Sequence, residues 1–355
     1  MRKLAASFAI GQFVLVLALA TGCGGGAENR SAAATSEGSS KPGGETVSGA
    51  ASRSSRLLFL AGDGELTVVD VDARSVEVLE VPQLRPGDPP FRIVRRGSKL
   101  VLYGGDTYAV DLDLRSPPQR LGKSWFFIPS SKPDRVWLAI LDPESAETVR
   151  ALAGVREVTV EGRVTVPEVT PPGGRWPVGA VDDALVFESR SGGLEVWDPR
   201  TGELRRWLPG ASMGTTHGDL LAWCDAAYET LHVTDVVTGT ARAVAPPEGF
   251  VAFDCWSGVF SPDGTLLAVP VTAGRGPEAE RTLALVDVQR GAARAVAGSG
   301  VEPPYVYIAW ASSGESVFVS GGDRYDRRIL EYRLGDERAV SLPVEVGDFY
   351  GMAAG

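Results

Sequence analysis

Lysine is nearly missing from this sequence: Lys3, Lys41, Lys99, Lys123 and Lys132 are five of its 35 basic residues, and Asn29 is its only asparagine. That bias is expected of a GC-rich bacterial genome. Against 45 acidic residues the net charge is −10, so nothing draws the chain to a nucleic-acid backbone or an anionic membrane face, and no nucleic-acid partner is expected. The chain has no C-x-x-C, H-E-x-x-H or calcium-loop spacing and only two histidines, which excludes zinc-site and EF-hand chemistry. It also lacks a G-x-S-x-G elbow ahead of a helix, which leaves a serine hydrolase without support. No cofactor, metal or catalytic residue is therefore expected. Helical periodicity of useful length is absent too. The 355 residues are 44% hydrophobic and 23% charged, a composition that excludes a disordered chain, a disulfide miniprotein and a polytopic membrane protein.

What is present begins with a leader. Arg2 and Lys3 precede an apolar run from Leu4 to Ala20 that is too short for a comfortable transmembrane helix. The run ends in Ala20-Thr21-Gly22-Cys23, which resembles the bacterial lipobox, with Ala20 standing where that pattern prefers leucine. The resemblance implies an actinobacterial-type lipoprotein: residues 1–22 are a signal peptide, and Cys23 carries a diacylglyceryl thioether that holds the chain on the outer leaflet. Two acyl chains suffice for stable anchoring where one does not. Residues 24–55 are Gly, Ser, Ala and Thr with scattered charge, so they cannot bury enough surface to order themselves. The expected organisation is signal peptide 1–22, lipidated cysteine and flexible tether 23–55, and folded domain 56–355.

The folded part repeats. Short apolar strands start at Leu57, Leu100, Val136, Leu185, Leu220, Leu266 and Val317, at intervals of 35 to 51 residues, the period of a four-stranded propeller blade. The next strand of five units ends in an aspartate, Asp70, Asp111, Asp198, Asp235 or Asp287, while the third and seventh units lack it. The turn that follows reads Asp198-Pro199-Arg200-Thr201-Gly202 and Asp235-Val236-Val237-Thr238-Gly239, in which Asp bonds the turn backbone and Gly supplies positive φ. With Phe260-Ser261-Pro262-Asp263-Gly264, these motifs resemble the TolB-like and WD-repeat propellers, whose units carry an aromatic-S-P-D-G turn. The predicted fold is an all-β, seven-bladed propeller. Two β-sandwiches are the rival, but they leave seven equal units unexplained. Because the first unit starts at its second strand, Asp348 to Ala354 is expected to supply the missing innermost strand and close blade one.

Several constellations stand out. Cys224 and Cys255 remain as a pair in an oxidising compartment and fall in neighbouring units, so a disulfide is expected, with Cys255 in the first strand of unit six. His217 and His232 read as structural. Trp197 to Trp207 resembles the tryptophan-docking motif of quinoprotein propellers with its tryptophan one residue late, and a plain hairpin with a packed Trp207 is preferred. The segment leading into most first strands carries an aromatic: Phe91, Trp125, Trp176, Phe253, Tyr305 and Tyr350, with Met213 in unit five. These residues either pack the blades or ring a binding site at one end of the channel. The long loops at that end, Ala273 to Arg281 and Gly321 to Arg328, carry Arg275, Arg281, Arg324 and Arg328, and complete a candidate binding face.

Together these features imply a monomeric, lipid-anchored extracytoplasmic propeller that binds or scaffolds a protein or glycan partner. The alternative is a propeller enzyme of the polysaccharide lyase, glycosidase or quinoprotein type that works through channel-lining residues. The anchor makes a direct prediction: Cys23→Ala leaves the precursor unprocessed or releases the protein from membranes, as read by fractionation and immunoblot, and a normally processed, membrane-retained variant would remove the lipobox.

Overall fold

The computed structural model describes residues 56–62, 64–81, 93–141, 152–188, 193–276, 279–301, 306–321 and 328–355. The expected signal peptide, Cys23 and tether, together with Phe91, Tyr305 and Arg324, lie outside the described residues. The second strand of each unit is apolar without alternation: Leu58, Phe59, Leu60 and Ala61 are all 1% exposed or less. A strand that is apolar on both faces needs a cover on both sides. Seven antiparallel sheets supply that cover for one another, six of four strands and one of five because its innermost strand is broken in two, and the fold is the expected seven-bladed propeller.

Blade 1 consists of Leu57–Ala61, Glu65–Asp70 and Ser75–Glu80, with Met352–Ala354 as its innermost strand. Leu58 faces Ala354, Phe59 faces Ala353 and Leu60 faces Met352, so the last residues of the chain complete the first blade as expected. Blades 2 to 7 begin at Ile93–Arg96, Phe126–Pro129, Pro177–Val181, Ser212–His217, Ala252–Phe253 and Ile308–Trp310.

The core is a series of seams. Phe59 and Leu66 pack on Leu100 and Leu102 between blades 1 and 2, and Val101 packs on Phe127 and Leu138 between blades 2 and 3. Trp137 meets Phe187, Val186 meets Leu221, and Leu231 meets Leu267 across the next three seams. Leu285 packs on Val317 and Val319, and Phe318 with Ile329 meets Leu58 and Leu60 where the last blade joins the first.

The strand order gives the ring two ends. First-to-second and third-to-fourth strand hairpins open at one, the hairpin end; second-to-third strand loops and the connections between blades open at the other, the loop end. Arg56 and Gly355 both sit at the hairpin end, where the Gly355 amide donates to the Leu57 carbonyl at 2.7 Å. Here Asp70, Asp198, Asp235 and Asp287 accept turn amides as expected, whereas Asp111 accepts the Lys99 ammonium; at Asp235 the amides of Thr238 and Val237 hold the carboxyl below the usual range.

Blades 3 and 7, which lack that aspartate, carry an acid two residues earlier on the same strand. Glu157 and Glu331 are 0% and 3% exposed. Glu157 accepts from Ser130 at 2.7 Å, Thr165 at 2.6 Å and Arg135 at 3.2 Å. Glu331 accepts from Ser316 at 3.0 Å and Arg333 at 3.1 Å, and it also pairs with Arg56 across the closing seam. A buried carboxylate without such partners would cost several kcal/mol, so each of these is surrounded by donors.

Closure by the C-terminal strand carries a testable cost. Removing residues 350–355 strips three buried side chains and exposes the inner edge of blade 1. Urea unfolding is expected to show a loss of at least about 3 kcal/mol, together with aggregation of the truncated chain.

Candidate functional site

The aromatic residues expected to ring the channel fall into different settings at the loop end. Trp125 and Trp176, which precede the innermost strands of blades 3 and 4, meet edge to face with ring centroids 4.6 Å apart, and Phe126 stacks on Trp176 at 5.4 Å. Tyr350, before the closing strand, is 37% exposed. Phe253 is only 2% exposed and belongs to the core between blades 5 and 6. Arg328 opens the strand Arg328–Arg333 and is exposed.

Phe253, Arg275 and Arg281 come together in a cleft of about 510 Å³ between blades 5 and 6. Its construction starts with an irregularity. The innermost strand of blade 6 is broken: Ala252–Phe253 and Val259–Phe260 both pair with Leu266–Thr272, and a 3-10 turn, Cys255–Ser257, lies between them. Cys255 thus sits in this turn and not in the strand expected for it, because the chain leaves the sheet there. Its side chain is buried and bonded to Cys224 at the end of Leu220–Cys224 in blade 5, with the Cα atoms 6.2 Å apart. With Cys255 pinned inward, the next residue turns out: Trp256 is 53% exposed and lines the cleft.

On the other side of Cys255, Asp254 is half-buried in the same cleft. Burial pushes its carboxyl above the usual range, against the opposing pull of the Arg281 charge. Tyr228 forms part of the facing wall in a left-handed conformation with φ of 61°. It is held by a hydroxyl contact with Ser212 at 2.8 Å and by its carbonyl, which accepts the Phe253 amide at 2.9 Å. Arg275 pairs with Glu229 at the rim. The cleft therefore offers an exposed indole, one carboxyl, one guanidinium not matched within the rim pair, and low walls of Ala226, Ala227, Gly274 and Gly276.

Sequence reasoning singled out Phe253, Arg275 and Arg281 but missed Asp254, Trp256 and Tyr228. The available signal was the bridge itself, since residues flanking a disulfide between blades are held at a seam. The remaining candidates are accounted for elsewhere. His232 stacks on Trp223 at 4.0 Å, and His217 lies 6.0 Å from Phe260, with burial pushing both imidazoles below their usual range. Trp207 packs against the core between blades 4 and 5. Among the described residues no group of three or more metal-ligating side chains comes together.

No protein-family model matches the sequence, and no curated protein matches it. Solved structures are similar in fold. Apo AztD of Citrobacter koseri is 15% identical, with 84% of this chain and 97% of that chain covered, at a TM-score of 0.50. A putative 6-phosphogluconolactonase of Bacteroides fragilis is 11% identical, over 86% of this chain and 99% of its own, at 0.52. TolB of Acinetobacter baumannii is 13% identical over 84% and 81%, at 0.46, too distant to carry an argument. At such identities the likeness extends to the propeller fold alone.

The bridge that shapes the cleft makes the prediction of this section. It closes a loop with a sequence separation of 31 residues, so the double variant Cys224→Ser with Cys255→Ser is expected to lose about 3.5 kcal/mol of unfolding free energy, on the chain-entropy account. Unchanged denaturant midpoints, or two free thiols in the mass spectrum of the unreduced protein, would contradict it.

Proposed function

We propose that this protein is a lipid-anchored, extracytoplasmic binding module that engages a protein or glycan partner through the loop end of its propeller. The observation that carries this reading is the cleft between blades 5 and 6, where a disulfide holds the turn that bears an exposed tryptophan, and a half-buried carboxyl and two arginines line the same cleft. Rigid aromatic and arginine side chains are the composition of a binding hot spot, because they bury much surface for little lost conformational freedom. A disulfide suits a chain that matures outside the cytoplasm, in keeping with the leader and lipobox.

Binding is favoured over hydrolysis because Asp254 is the only acid lining the cleft among the described residues, whereas glycoside hydrolysis calls for two carboxyls flanking the bond. A monomer is the working state, as the seven blades cover one another's apolar faces.

Cross-linking of the membrane-anchored protein in intact cells tests this reading. Trp256→Ala with Arg281→Ala is expected to reduce partner capture at least about tenfold, the loss of one hot-spot residue's contribution. The control pair Arg205→Ala with Arg290→Ala, which is exposed and remote from the cleft, leaves capture unchanged. Equal loss from both pairs would end the assignment of this face.

A further inference from the structure

We infer that the ligand of the cleft is an uncharged sugar, a pyranose ring laid on the indole of Trp256 with its hydroxyls shared between Asp254 and Arg281. The inference deepens the binding role proposed above and rests on it. Four observations narrow the ligand class.

Among the described residues the charges of the cleft cancel once Glu229 at its rim is counted. Arg275 is paired with Glu229, and Arg281 is the charged group that acts on Asp254. An anionic ligand would approach Asp254 and a cationic one would approach Arg281, so neither gains from the site as a whole. Next, the two polar groups are of opposite kinds. A carboxylate accepts hydrogen bonds and a guanidinium only donates them, whereas a hydroxyl does both and serves each without carrying charge.

The third observation is the platform. Trp256 is 53% exposed on a turn pinned by the bridge, and the small residues Ala226, Ala227 and Gly274 line the same cleft, so no bulky side chain from those positions competes for the indole. A cleft of about 510 Å³ has the size of a small-ligand site, with an apolar lining and a few convergent polar groups. Finally, the strand backbone beside the cleft is already paired. The amides of Val251, Phe253, Asp254 and Ala273 already donate to Thr272, Tyr228, Pro270 and Glu280. An extended peptide binds by adding main-chain bonds to a free edge, and those donors are taken; a sugar needs side chains only.

Calorimetric titration of the full-length protein in detergent tests the inference, with cellotetraose, chitotetraose, mannotetraose and galactotetraose as uncharged probes and tetragalacturonate and tetralysine as charged ones. At least one uncharged probe is expected to bind with one site per chain. Trp256→Ala weakens that binding at least about tenfold, Trp256→Phe retains part of it, and the charged probes give no heat. Because Trp256 is exposed, the melting temperature of both variants stays at the wild-type value, which separates lost binding from lost fold.

The inference falls if no uncharged probe binds, if the bound one is indifferent to Trp256→Ala, or if tetragalacturonate or tetralysine binds more tightly. If the uncharged probes fail while capture from cells still depends on Trp256, the face stands and the sugar does not. If capture is also indifferent to Trp256, both fall.

Discussion

The packing of apolar sheet faces across the seam between neighbouring blades is the interaction on which the rest of this structure depends. A blade such as the one built on Leu58, Phe59 and Leu60 is apolar on both sides, so alone it would expose both. Each blade supplies half of two seams, and the ring holds only when the last seam is filled. That seam joins Phe318 and Ile329 to Leu58 and Leu60, and it is secured twice more, by the pairing of Met352–Ala354 with blade 1 and by Arg56 reaching Glu331. Covering both faces and the inner edge at the same place removes the free strand at which a propeller would otherwise open or aggregate.

Rigidity of the ring lets its two ends diverge. At the hairpin end the connections are short and their side chains serve the backbone, as Asp235 and Asp263 do for the amides that follow them. Where the turn aspartate is missing, in blades 3 and 7, the buried carboxylates Glu157 and Glu331 recruit serine and arginine on their own blades instead. Polar groups there are spent on structure. At the loop end the connections lengthen, and in blade 6 a break in the innermost strand changes what a side chain faces. Cys255 goes inward to the bridge and its neighbours Asp254 and Trp256 are left to line a cleft. A feature that serves stability thereby positions chemistry.

Much of this architecture is legible in the sequence. The unalternating apolar strands, the recurring aspartate and the missing first strand of unit one all come from constraints local to a blade, and local constraints leave periodic traces in a sequence. The pairing of Cys224 with Cys255 was legible too, because the two remaining cysteines fall in adjacent units. The cleft was legible only in part. Arg275 and Arg281 announced themselves as charge in a long loop, and Phe253 as an aromatic ahead of a strand. Trp256 carried no such mark, since one turn of 3-10 helix has no period to recognise.

By itself, then, the sequence determined the fold class, the blade register, the closing strand and the disulfide, because each of these follows from patterns within a blade or between consecutive blades. Only the tertiary structure decided which side chains meet. Arg56 and Glu331 lie 275 residues apart and touch because the ring closes. Tyr228, Asp254, Trp256 and Arg281 line one cleft because two blades present their loop ends side by side. The exposure of Trp256 depends on which way the chain turns after Cys255, and that direction is set by the bridge and by the packing of blade 5, not by the residues of the turn.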